Sequence, residues 1–197
     1  VGTDADSILA DAGNDTVYAG AGADTVDGGA GNDLIDGGLG DDQLFGGVSS
    51  GSDTIYGGQG NDTITDYLGN DVIYGGAGDD LAYGGGDADE LHGDDGNDDL
   101  RGAVGLDTLY GGTGSDSLYG GGDNDLLYGG DGNDLLHTGP GNDTAFGGQG
   151  SDTFILDDGH GANVFTGGED VGDTDVDLID ASAHSGDATV VFSGNEA

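Results

Sequence analysis

The chain has 197 residues, of which 41 are acidic and one, Arg101, is basic; lysine is absent and the formal charge is −40. Such a chain repels nucleic acid and acidic membranes, so neither is expected as a partner. With 48 glycines, 33% apolar residues and no cysteine, neither a large apolar core nor a disulfide framework is available to offset the entropy of ordering the backbone, and something else must supply stability. No stretch reads as a membrane span or signal peptide, and the chain opens mid-pattern at Val1 without a Met, as a piece of a longer protein would.

From residue 1 to residue 155 a nine-residue unit repeats seventeen times. Examples are GGAGNDLID at 28–36, GGLGDDQLF at 37–45, GGTGSDSLY at 111–119 and GGDGNDLLH at 129–137. Position six is always Asp: Asp6, Asp15, Asp24, Asp33, Asp42, Asp53, Asp62, Asp71, Asp80, Asp89, Asp98, Asp107, Asp116, Asp125, Asp134, Asp143 and Asp152. Position eight is Ile, Val, Leu or Phe, except at Ala82 and Ala145. One unit, 46–56, carries two extra residues around Val48, Ser49 and Ser50, and the phase resumes at Gly57; the insertion is expected in a surface turn.

Within a unit, GGxGxD supplies residues that turn with positive φ and expose carbonyls, followed by a carboxylate. The next three residues form a short strand whose middle, apolar side chain points inward. Two units make one coil, and coils stack at the strand spacing of roughly 4.8 Å, so aspartates of units n and n+2 share an edge. Carboxylate and carbonyl oxygens in that arrangement suit Ca²⁺, whereas Zn²⁺ lacks its preferred Cys and His ligands. About 15 such pairings filled by divalent ions would reduce the charge of −40 to about −10. Metal binding and folding are therefore expected to be one event, with the metal-free chain largely unfolded.

The seventeen in-phase units resemble the RTX (hemolysin-type) calcium-binding nonapeptide repeat of secreted bacterial proteins. The resemblance implies an all-β, right-handed parallel β-roll, calcium ions held between successive turns, and export in an unfolded state through a type I secretion channel with folding outside the cell. It makes the seventeen aspartates, with turn carbonyls, the calcium ligands. Extracellular calcium modules work at about 10⁻⁴–10⁻³ M, which keeps such a chain unfolded in a low-calcium cytoplasm. The expected architecture is about eight and a half coils spanning 1–155, roughly 40 Å long, with a capping region over 156–197.

Several units depart from the pattern. Position four is Asp at Asp4, Asp87 and Asp123, and position two is Asp11, Tyr67, Asp94 or Ala103. Units 66–74 (DYLGNDVIY) and 102–110 (GAVGLDTLY) depart most, and weaker binding is expected in turns lacking Gly. Beyond Ile155 the period fails; Phe154, Ile155, Leu156, Val164 and Phe165 are available to cover the last apolar layer. Asp173, Asp175 and Asp177 imitate the start of an EF-hand loop, but Leu178 and His184 stand where that loop needs Gly and Glu.

No HExxH, GxSxG, phosphate loop or nucleophilic Cys occurs, so the chain is not expected to be an enzyme. His92 and His137 fall at the outward position nine and read as solvated side chains, and His160 and His184 have no recognisable partners. In even-numbered units position nine gives Tyr18, Asp36, Tyr56, Tyr74, His92, Tyr110, Tyr128 and Phe146, an almost continuous aromatic line along one face. It either stabilises adjacent strands or serves for self-association or domain docking through Tyr18, Tyr56, Tyr74, Tyr110 and Tyr128. Three functions follow: a calcium-binding structural module of a secreted or cell-surface protein such as an adhesin; the export and folding module of a secreted protease, lipase or epimerase with its catalytic domain elsewhere; and ice binding, disfavoured because turn position three is Thr only at Thr3 and Thr113.

Overall fold

A computed structural model describes residues 2–156, 161–168 and 177–180. Within them lie nineteen strands and no helix. Odd and even strands separate into two all-parallel sheets of ten and nine strands, each strand pairing with the one two places away in sequence. Two units per coil is therefore the geometry adopted, giving a parallel β-solenoid of about nine turns. The register is strict: Ile35 aligns with Ile55, then Ile73, Leu91, Leu109 and Leu127.

That alignment is the core. Every position-eight residue from Val26 to Ala145 is fully buried, in one column per sheet, because alternation in an extended chain turns one side chain in three inward and its neighbours outward. Strands are longer than the expected three residues. Most have six, as in Thr108–Thr113, because the opening glycines of the next unit continue the ladder, Gly112 pairing with Gly130. Strands Thr63–Thr65 and Leu135–His137 stop at three, where the next unit opens with Asp66 or Thr138 instead of Gly. The inserted residues lie in a turn, with Val48 77% exposed, and pairing resumes at Leu34 with Thr54.

Turn position two runs at positive φ in most units, Tyr67 being an exception; at Gly38 (φ 103) an added Cβ would collide with the Gly20 carbonyl of the coil below. Asp11, Asp94 and Ala103 hold the same conformation without glycine, as do Asp87 and Asp123 at position four. Asp tolerates it through its short polar side chain, whereas Ala103, at φ 85, carries a strain of roughly 1–2 kcal/mol. The fold thus overrides local preference at these departures, and neither divergent unit leaves the stack.

Past residue 155 the sheets continue. Val164–Thr166 pairs with Thr144–Gln149, and Leu178–Asp180 with Thr153–Ile155. Phe154, Leu156 and Phe165 are buried, the two rings 5.1 Å apart, while Ile155 is half-buried and Val164 is 41% exposed. His160, Asp173, Asp175 and His184 lie outside the described residues.

Outside the even sheet the aromatic line is a true stack. Tyr56, Tyr74, His92, Tyr110, Tyr128 and Phe146 follow one another at 4.6–5.0 Å between centroids with interplanar angles of 14° or less. Asp36 separates Tyr18 from it. His92 is not a free solvated side chain as expected: it is held between two tyrosines and bonds Glu90 at 2.8 Å. His137 packs edge-on against Tyr119. On the opposite sheet Arg101 lies between the rings of Tyr83 and Tyr119, 5.1 Å from each, and grips Asp99 with two hydrogen bonds.

Candidate metal centre

The glycine turns deliver each position-six carboxylate to the same place in every coil. There the backbone N–H of one Asp donates to Oδ1 of the Asp two units later, for example Asp24 to Asp42, Asp80 to Asp98 and Asp98 to Asp116 at 2.8–2.9 Å. Repeated, this joins the aspartates of odd units into one continuous ladder from Asp6 and those of even units into a second from Asp15. All seventeen expected residues stand in these two ladders, including Asp53, Asp71, Asp107, Asp143 and Asp152.

One oxygen of each carboxylate is thereby used, and the other is the informative one. The Oδ2 atoms of Asp6, Asp15, Asp24, Asp33, Asp42, Asp62, Asp71, Asp80, Asp89, Asp98, Asp107, Asp116, Asp125 and Asp134 are buried and accept no hydrogen bond among the described residues. A buried charged oxygen left so costs several kcal/mol. The space beside it is shaped by glycine. A Cβ on Gly28 would meet Asp33 Oδ2 at 2.8 Å and the Gly46 carbonyl at 2.7 Å; on Gly75, Asp80 Oδ2 at 2.5 Å and the Gly93 carbonyl at 2.9 Å; on Gly120, Asp125 Oδ2 at 2.5 Å and the Thr138 carbonyl at 2.8 Å. Most position-one glycines thus face a cradle lined by a carboxylate oxygen of their own unit and a carbonyl of the next coil. Hard oxygens of both kinds are the donor set of Ca²⁺, and the residues present fit that ion.

Electrostatics point the same way. Burial pushes the carboxyls of Asp62, Asp71 and Asp107 up to about 6, and those of Asp80, Asp89, Asp98, Asp125 and Asp134 up to about 7. The N–H from two units earlier opposes the rise without cancelling it, and for most of them like charges in the ladder add to it. Without a cation the ladder resists ionisation at neutral pH.

Two features escaped the sequence reading. Asn163 and Asp177 extend the ladders beyond the period, accepting from Asp143 at 2.9 Å and Asp152 at 3.0 Å. The signal is there in retrospect, since NVFT and DLID keep the Asx-x-apolar-x order of the repeat while the loops before them lengthen. Position five builds a second, exposed ladder running the other way: the Asp79 N–H donates to Asn61, that of Asn97 to Asp79, and that of Ser115 to Asn97.

Two parallel sheets closed by turns that carry continuous hard-oxygen ladders define the class: a solenoid whose turns line up carboxylate and carbonyl oxygens of the kind that suit Ca²⁺. The chain matches the family described as RTX calcium-binding nonapeptide repeat (4 copies) over residues 1–35, 20–49, 48–82, 67–100, 74–109, 101–136, 128–162 and 137–170, and it belongs to that family. The repeat is a structural, calcium-binding unit rather than a catalytic one. No curated protein matches the chain. No helix among the described residues is long and apolar enough to cross a membrane.

Proposed function

We propose that Ca²⁺ binds along both ladders through the seventeen position-six aspartates and the facing turn carbonyls, and that binding drives folding of a module that works outside the cell. The observation that carries this reading is the row of buried Oδ2 atoms, which in most units from Asp33 onward stand beside a position-one glycine and a carbonyl of the next coil. A lone base, already engaged with Asp99, cannot neutralise them. A chain that stays unfolded in a calcium-poor cytoplasm can be exported unfolded and becomes a rigid rod on meeting external calcium. Such a module suits a secreted or cell-surface bacterial protein; in a secreted enzyme it would serve export and folding, and a catalytic motif in adjoining coding sequence would decide between the two. Residues 156–197 are assigned to closing the C-terminal end of the roll, in keeping with the burial of Leu156 and Phe165.

Far-ultraviolet circular dichroism from a chelated start is expected to show a cooperative rise of β signal with Ca²⁺ and none with Mg²⁺, which demands a smaller, more rigid site. A β signal already complete in chelator at neutral pH would overturn the coupling of binding to folding.

The aromatic stack supports a second reading, docking of a neighbouring domain or another copy, favoured by its continuity from Tyr56 to Phe146. Because the rings face one another, stacking within the sheet already uses their faces, at roughly 0.5–1.5 kcal/mol per pair, and leaves edges and hydroxyls for a partner. Replacing Tyr56, Tyr74 and Tyr110 together with Ser separates the roles. Loss of association in sedimentation with calcium-induced folding intact would establish docking; loss of folding alone would leave the stack a purely internal brace.

A further inference from the structure

Position one is Gly in most units and a carboxylate in only one, Asp66. Its side chain enters the cradle above Gly46, lying against the point where a Gly46 Cβ would stand, with Asp53 Oδ2 2.8 Å from the same point. That step also belongs to the one unit with an insertion, residues 46–56. One carboxylate oxygen each from Asp53, Asp66 and Asp71 lies within 4.8 Å of the others, and all three residues are buried. Oxygens bound to one Ca²⁺ at 2.3–2.6 Å lie at most about 5 Å apart, so a single ion can touch all three.

Each of the three carboxylates is anchored through its Oδ1 by a backbone N–H. Asp66 Oδ1 accepts the Tyr67 N–H at 2.7 Å, Asp53 Oδ1 that of Asp33 at 2.8 Å, and Asp71 Oδ1 that of Asp53 at 2.8 Å. Asp66 is 1% exposed, and its Oδ2, like that of Asp71, has no hydrogen-bond partner among the described residues. Elsewhere a cradle offers one carboxylate oxygen and a carbonyl; here three negative groups converge, with the chain's single arginine committed to Asp99.

We infer that Asp53, Asp66 and Asp71 form a distinct three-carboxylate cation site, the tightest on the chain and the one that most favours cations of high charge. The inference rests on the calcium-ladder reading for its context but not for its test. Affinity in oxygen sites rises with the number of charged ligands, so the first equivalent of Ca²⁺, and more markedly of Tb³⁺, goes to this step. Folding then spreads to coils on both sides, as nearest-neighbour stacking allows.

The test is titration of the full chain with Ca²⁺ by calorimetry and with Tb³⁺ by luminescence, comparing wild type with Asp66→Gly, which restores the residue found in neighbouring units. Wild type is expected to bind one equivalent about tenfold more tightly than the rest, and D66G to lose that tight class while keeping the calcium-induced β transition. If D66G superimposes on wild type or binds more tightly, Asp66 is a protonated plug that fills the cradle, and the inference is wrong. Should D66G not fold, Asp66→Asn keeps the shape without the charge and must itself show loss of the tight class. Failure of the ladder reading looks different: no β transition in either protein, with the tight Tb³⁺ equivalent still distinguishing them.

Discussion

In chelator, acidification from about pH 7.5 to about pH 5 is expected to convert the chain from coil to roll, reproducing with protons part of what calcium does. The ordinary aspartate value is 3.8, whereas in the fold Asp80, Asp89, Asp98, Asp125 and Asp134 rise to about 7 because burial disfavours their charge. Between those values the folded state binds more protons than the unfolded one, so its stability increases as pH falls; the gain is complete below 3.8 and is lost as pH rises through about 7. A carboxyl carried from 3.8 to about 7 corresponds to a penalty on the order of 4 kcal/mol for a group forced to ionise. The isoelectric point of about 4.1 sets the lower limit of the experiment, since precipitation is favoured near zero net charge. With calcium present the sign reverses, because protons compete for the same oxygens, and the calcium midpoint should move to higher concentration below about pH 7. A β signal in chelator that is flat or falls on acidification would remove burial as the reason the metal-free chain does not fold.

Replacing Asp98 with Asn should have opposite effects with and without the ion. An amide keeps the Oδ1 that accepts the Asp80 N–H at 2.8 Å, and the backbone N–H at this position still donates to Asp116. The change removes a fully buried charge whose folded carboxyl titrates near 7. At neutral pH in chelator the variant is therefore expected to stabilise the folded form, by up to about 4 kcal/mol, seen as greater residual β signal. In calcium it loses a charged ligand, and the midpoint of folding should shift to higher Ca²⁺. Asp98→Ala makes the control, since it removes the same charge but also strips the acceptor from the buried Asp80 N–H, and it should be less stable than Asp98→Asn by about 1–3 kcal/mol under both conditions. Equal destabilisation by Asn with and without calcium would mean that the ladder works through hydrogen bonds alone.

The departures show how far local sequence governs the outcome. Ala103 takes positive φ because the coils on either side fix the path of the chain there, and no property of that residue announces it. Asp66 and Thr138 do act locally, cutting the preceding strands to three residues, yet their units stay in register because Asp71 and Asp143 keep the ladder.

The sequence by itself determined the nine-residue phase, the pairing of alternate units, the identity of the core column and the membership of Asp6 to Asp152 in the ladders, because each repeats a short local geometry whose stacking has a single consistent solution. Only the tertiary structure decided which oxygen of each carboxylate is spent on the neighbouring coil and which is left facing the cradle, that Asn163 and Asp177 join at separations of 20 and 25 residues rather than 18, and that Asp66 meets Asp53 and Asp71. Those facts depend on how one coil sits upon another, and once an insertion or a lengthened loop shifts the offset, spacing along the chain no longer says which atoms meet.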